Sequence, residues 1–363
     1  MMARTRTPLG LACLGLALRA RGLRVEQPGA AEGPARSINV TEEHAVVDKA
    51  GTSALDNQTQ EGESNFCMNG RMAPEFFLIG AQKAGSTAFA EMIKHPKIIC
   101  PTLVQGEQDS RYYKEVHIFD EFDRFKKGRD FWLSHYPACD RSTRMIAADF
   151  TPDYVAVPEV PQRMKAFYGD QTHRLKIALI VRNPVGRIHS AFHFYNSEAR
   201  AGQSWAQCVC QQKGSNGCTD FKGYVEGLMK IEHNDPCYFV NRSDYSHQLD
   251  VFLQVFAPSQ FTVFSLTSIS DPSSGRSRAA QAVWTSLGLS GEAPVVAHIN
   301  GGHHASIEQD LGPTVLEQFK SYINDRAGPY GLAKTLVDKG IKLFGFQSNE
   351  YLAVAQHLGQ TWG

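Results

Sequence analysis

The sequence has no surplus of charge of either sign. Its 37 lysines and arginines are matched by 37 aspartates and glutamates over 363 residues. A nucleic-acid binder usually carries a basic excess, so bulk nucleic-acid binding is excluded, while a local basic cleft is still allowed. An apolar run of the ~20 residues that span a bilayer is also missing from the N-terminus. The run there, Leu9 to Leu18, lies between Arg4, Arg6 and Arg19, Arg21 and has the length of a signal-peptide core. Paired C-x-x-C spacing is absent among the eight cysteines. The crowd Cys208, Cys210, Cys218 and Cys237 therefore reads as disulfide partners rather than as zinc ligands. There is no internal repeat, and the length allows one large domain or two small ones.

What is present organises the chain. Residues 1–21 read as a signal peptide or short signal anchor, placing the chain in the secretory pathway. Asn39-Val-Thr, Asn57-Gln-Thr and Asn241-Arg-Ser are glycosylation triplets, and the cysteines suit an oxidising compartment. A bridge within Cys208–Cys237 is expected, and another among Cys67, Cys100 and Cys139. Residues 22–70 lack apolar periodicity and read as a disordered stem. A globular domain is expected over 71–347, followed by a tail over 348–363.

Within 71–347 strands and helices alternate. "FFLIG" (Phe76–Gly80), "MIAAD" (Met145–Asp149), "KIALIV" (Lys176–Val181) and "QFTVFSL" (Gln260–Leu266) read as strands, and "HIFD" with Val116 as a short extended piece. Helical patterns lie at Ser86–Lys94, Glu159–Phe167, Pro184–Glu198, Asp244–Phe256, Arg276–Leu287 and Thr314–Asn324. The expected fold is α/β: a single P-loop-like domain with a central parallel sheet flanked by helices. Its ligand should sit outside the carboxyl ends of the strands, where Gly80 and Arg182 fall.

Two anion motifs follow. In "FFLIGAQKAGST" a strand, a glycine loop and a helix start are arranged as in a phosphate cradle. The order G-K-[ST] of an ATP or GTP loop is missing, because Lys83 lies inside the loop and Ser86 stands where a lysine would. Gln82, Lys83, Ala84, Gly85, Ser86 and Thr87 are the candidate binders. In "VRNPVGRIHSAF", Arg182 ends a buried strand and Ser190 follows eight residues on. An arginine fork and a hydroxyl there suit a second phosphate.

"PEFFLIGAQKAGSTAFAEMIKHPKI" resembles the 5′-phosphosulfate loop of sulfotransferases, and "KIALIVRNPVGRIHSAFHFY" resembles their 3′-phosphate motif. "KEVHIFD" and "FTPDYV" resemble segments of the Golgi carbohydrate sulfotransferases of the heparan sulfate type. The resemblance covers about Pro74 to Tyr195. It implies the co-substrate 3′-phosphoadenosine 5′-phosphosulfate, no required metal, a glycan or small-molecule acceptor, and the Golgi lumen, with the N-terminal segment as a contact to the Golgi membrane. It implies Lys83 at the bridging oxygen of the donor and Glu115 as general base. His117 is the rival base, since histidine serves other sulfotransferases. That alternative goes with a small alcohol or protein tyrosine as acceptor; a nucleotide kinase, with Asp149 on magnesium, is the reading of another class. The chain departs from the heparan enzymes at Phe150, where they have lysine, and at Asp153, where a small residue is common. The first removes a cation from the donor–acceptor cleft and argues against a heparan acceptor. Their closing lysine–glycine loop is represented by "NGGHHAS", which nominates Gly301, Gly302 and His303 as donor contacts, with His304 beside them.

Overall fold

The structure is a computed structural model, and it describes residues 64–104, 114–210, 220–230, 235–271, 275–293 and 305–362. A hairpin of β1 (Cys67–Met68) and β2 (Arg71–Met72) leads into β3 (Pro74–Gly80) and α1 (Ser86–Met92). Then come β4 (Ile98–Ile99), α2 (Phe122–Phe125), α3 (Gly128–Leu133), β5 (Ile146–Asp149), α4 (Val160–Tyr168), β6 (Lys176–Val181) and α5 (Pro184–Arg200). The second half carries α6 (Phe221–Lys230), α7 (Tyr245–Phe252), β7 (Phe261–Ser265), α8 (Leu266–Ser270) and α9 (Gly275–Ser286). It closes with α10 (Ile307–Ala327), α11 (Pro329–Lys339), β8 (Lys342–Leu343) and α12 (Tyr351–Thr361).

The main sheet has six strands in the order β4-β5-β3-β6-β7-β8, every pair parallel. β3 is buried along its whole length and β6 everywhere but at Lys176. That is the pattern of strands covered by helices on both faces. The chain leaves β3 toward β4 and β5 on one side and later reaches β6 on the other. The carboxyl end of β3 is thus a switch point, where a crevice opens. A second apolar cluster joins α5, α6 and α10 through Phe192, Phe221, Tyr224, Phe239 and Phe319. Asn183 caps α5 by accepting the Val185 N–H at 2.9 Å, and Pro184 occupies the first turn.

Disulfides join Cys67 to Cys139 and Cys208 to Cys237, one from each expected set. Three expectations are corrected. Val116–Asp120 is not extended: it is a loop with His117 at φ 51°, because its carbonyls are taken by side chains rather than by a neighbouring strand. The folded part begins by Asn65 and Phe66, both buried, inside the expected stem. Residues 348–363 hold α12, whose Val354, Ala355 and Leu358, with Trp362, join the main core; their spacing of three to four is a helix face.

Candidate active site

β3 stops where Gly80 packs against the turn of Tyr154–Ala156. A Cβ on Gly80 would lie 2.4 Å from Val155 Cγ1, so only glycine fits. The loop then winds tightly: the Ala81 N–H donates to Ile180 O at 2.9 Å and the Ala84 N–H to Ala81 O at 3.0 Å. Lys83 has φ 66° and Gly85 φ 92°, and a Cβ on Gly85 would approach Leu266 Cδ1 to 2.9 Å. Gly85 is the N-cap of α1 and offers no side-chain cap. The first-turn amides of Ser86 and Thr87 therefore face the crevice without an intrahelical partner.

The second motif docks on the first. Arg182 Nη1 donates to Lys83 O at 2.9 Å across 99 residues of sequence. Tyr245 Oη holds the Arg182 backbone, donating to its carbonyl at 3.0 Å and accepting its N–H at 3.4 Å. Lys83 Nζ lies over the Phe194 ring, 4.1 Å from its centre. Burial first, then the Arg182 charge, pulls the Lys83 ammonium below its ordinary pKa, against a weaker upward pull from Glu198. Burial does the same to Arg182. Two partly desolvated cations on adjoining motifs repel each other, so an anion between them would relieve both. Arg187, wholly buried, ties this loop to the α7 side by donating to Gln82 O at 3.5 Å, to Ser243 Oγ at 2.8 Å and to Phe239 O. Ser190 sits two turns into α5, half-buried.

Glu115 and His117 are brought together, and a third residue joins them. His117 Nδ1 is 2.7 Å from Asp120 Oδ2 and Nε2 is 3.2 Å from Glu115 Oε2. The other Glu115 oxygen pairs with Lys114 Nζ. Burial opposes charge on His117, but the Asp120 hydrogen bond and charge, with Asp153 and Glu121, raise its pKa to about 9. At neutral pH His117 is an imidazolium donating to two carboxylates. Burial lowers Lys114 to about 8, against the pull of Asp149 and Asp153.

This loop is held rigidly. The Phe150 N–H donates to Lys114 O at 2.9 Å, and Arg124 Nε donates to Val116 O at 2.8 Å. Arg163 Nη1 donates to Phe119 O at 2.7 Å. The Ile118 N–H donates to Tyr154 Oη at 3.3 Å, and that hydroxyl donates to Asp149 Oδ2 at 2.7 Å. Asp153 links the two halves of the site. It accepts from Gln82 Nε2 at 3.1 Å and pairs with Arg242. Its carboxylate also lies within 4.8 Å of the facing atoms of His117 and Asp120.

A phosphate-type loop, an arginine motif docked on it and an acid–imidazole cluster are now in one crevice. The sulfotransferase domain family matches residues 73–254, half of the chain. The chain belongs to the sulfotransferase family. Among curated relatives of this sulfotransferase chain, human heparan sulfate glucosamine 3-O-sulfotransferase 5 is 24% identical over 52% of this chain and 47% of its own length. The mouse protein of the same name is 27% identical over 33% of this chain and 30% of its own. The bifunctional heparan sulfate N-deacetylase/N-sulfotransferase 1 of Caenorhabditis elegans is 28% identical over 33% of this chain and 12% of its own. The chain thus spans under half the length of the curated relatives it matches. A sulfotransferase crystal structure from Alicyclobacillus acidocaldarius aligns with 75% of this chain and 98% of its own, with 20% identity and a TM-score of 0.48.

The candidate residues Gln82, Lys83, Ala84, Gly85, Ser86, Thr87, Arg182, Glu115 and His117 fall in one neighbourhood, joined through Asp153 and through the Arg182 contact to Lys83 O. Gly301, Gly302, His303 and His304 lie outside the described residues. Sequence reading missed Asp120, Arg187 and Arg242. Asp120 had a visible signal, since it ends "KEVHIFD" three residues after His117, but it tells only once the segment is a loop. Phe150 is turned into the core, edge-on to Phe76 at 6.0 Å, so this substitution is a packing residue. Asp149 has both oxygens engaged, Oδ1 by the Thr151 N–H and hydroxyl at 3.1 and 2.6 Å and Oδ2 by Tyr154. Such a carboxylate is a structural clamp, which weighs against the magnesium role of a kinase.

Proposed function

We propose that the protein transfers a sulfo group from 3′-phosphoadenosine 5′-phosphosulfate to a carbohydrate hydroxyl, with Glu115 as general base. The observation that carries this is the Asp120–His117–Glu115 chain, joined through Asp153 to the loop that holds Lys83. The loop amides of Ser86 and Thr87, with Lys83, suit the 5′-phosphosulfate. Arg182 and Ser190 suit the 3′-phosphate. Gly301, Gly302 and His303 remain proposed donor contacts from the sequence alone.

The step needs little covalent help from the protein. The acceptor oxygen bonds to sulfur as its proton passes to the Glu115 carboxylate, and the bond from sulfur to the phosphate oxygen breaks. Charge builds on that oxygen, where a positioned ammonium from Lys83 is most useful. His117, charged at neutral pH, has no lone pair to offer and so orients Glu115 instead. That supports the glutamate over the histidine, and with it a glycan over a small alcohol or tyrosine. The heparan names of the relatives also support a glycan acceptor, and the disulfides among the described residues support the oxidising lumen of the secretory pathway. Among the described residues no helix is long and apolar enough to cross a membrane.

The test is transfer of labelled sulfate from the donor to glycan, phenol and peptide acceptors, with Lys83→Ala as control. Glycan labelling that falls by about a hundredfold or more in the variant is expected. Preferential labelling of phenol or peptide, or a Lys83→Ala turnover within a few-fold of wild type, would refute the reading.

A further inference from the structure

We propose that His189, His193 and Asp310 form a divalent-metal site of the zinc class that clips the start of α10 onto α5. It lies outside the sulfo-transfer cluster and does not depend on that reading. The two histidines are four apart on α5, so they share one helix face. Their Nε2 atoms are 3.1 Å apart, and each is 2.8 Å from the same oxygen, Asp310 Oδ2. Three ligand atoms from residues up to 121 apart in sequence thus converge on one point.

The geometry is close to that of a bound ion. Ligand bonds of about 2.0–2.2 Å at tetrahedral angles put neighbouring donor atoms about 3.3 Å apart. Opening the triangle by about half an ångström accommodates the ion. Two imidazole nitrogens and one carboxylate suit zinc and its neighbours, whereas magnesium and calcium prefer oxygen alone.

The surroundings also fit. His189 is 1% exposed, with its ring 4.8 Å from Phe221 and 4.5 Å from His193. The His193 and Asp310 side chains are 26% and 20% exposed, which leaves a wet side for a water ligand. Asp310 sits in a first turn that is built separately. Ser306 and Gln309 cap it reciprocally, and Gly312 at φ 69° with Pro313 breaks it from the rest of α10. A short turn on a hinge is free to settle on a metal. Ser190 and Phe194 directly follow the two histidines on α5, and Phe194 is the ring under Lys83. The clip therefore also fixes the helix that backs the donor loop.

The full chain, stripped with chelator and dialysed, should be titrated calorimetrically with Zn²⁺, and with Co²⁺ while recording visible d–d bands. Saturable uptake with a tetrahedral Co²⁺ spectrum and a rise in Tm on adding Zn²⁺ are expected. His193→Gln and Asp310→Asn should each weaken binding by about a hundredfold or more, beyond the loss typical of a supporting partner, and abolish the Tm rise. Far-UV circular dichroism establishes that the variants fold, and the partly exposed position of His193 makes His193→Gln the milder of the two. Absence of uptake by the wild type, or unchanged uptake by the folded double variant, would overturn the site; the cluster would then be a proton-held imidazole–carboxylate contact.

Discussion

Asp120→Asn separates an orienting imidazolium from a histidine base. In the wild type, His117 is raised from 6.5 to about 9, its burial being outweighed chiefly by Asp120. The change keeps the shape of the side chain and removes the charge. Burial then acts against fewer opposing groups, and the His117 pKa should fall to 6.5 or below. At about 1.4 kcal/mol per tenfold change, the rise from 6.5 to about 9 corresponds to ~3 kcal/mol. A base whose folded pKa exceeds its unfolded value stabilises the fold fully below the unfolded pKa. The wild type should therefore hold this ~3 kcal/mol below pH 6.5 and lose it as the pH rises through about 9. The variant should lack that decline. Two measurements read it: the His117 Cε1–H titration by NMR, and urea unfolding at intervals from pH 6 to 9.5. A wild-type His117 that titrates near 6.5, or parallel stability curves for the two proteins, would refute the reasoning.

Glu115→Gln should retain donor binding and lose turnover by roughly a hundredfold or more, with the acidic limb of the pH–rate profile removed; His117→Asn should be milder and keep that limb. The reverse ranking, measured by steady-state kinetics, would make His117 the base. Arg182→Ala should weaken adenosine 3′,5′-bisphosphate more than adenosine 5′-phosphate in calorimetric titrations, whereas equal losses would remove its 3′-phosphate role. Cys208→Ser with Cys237→Ser opens a loop of 29 residues and should cost about 3–4 kcal/mol in denaturant unfolding; an unchanged midpoint would show that α6 and its neighbours are held without it.

The α/β class was legible because its signals are local. β3 and β6 are continuous apolar runs bounded by Gly80 and Arg182, and buried parallel strands have that composition whatever surrounds them. The two anion motifs were legible for the same reason, since a loop that wraps a phosphate needs its glycine and its cation within a few residues. Short strands such as β4 and β8 carry two residues each, too few for any periodicity, and only pairing with the sheet defines them. The 114–120 loop shows the opposite dependence. Val116–Asp120 read as a short extended piece, but Arg124, Arg163 and Tyr154 bind its backbone, and the left-handed His117 goes with partners that lie 8 to 44 residues away in sequence. That turn is what sets Asp120 behind His117 and Glu115 in front of it. The sequence nominated the groups proposed to carry the chemistry: Lys83, Arg182, Glu115 and His117. The tertiary structure decided how they are charged, because charge depends on burial and on neighbours such as Asp120 and Asp153, and it alone brought Asp310 to the two histidines of α5.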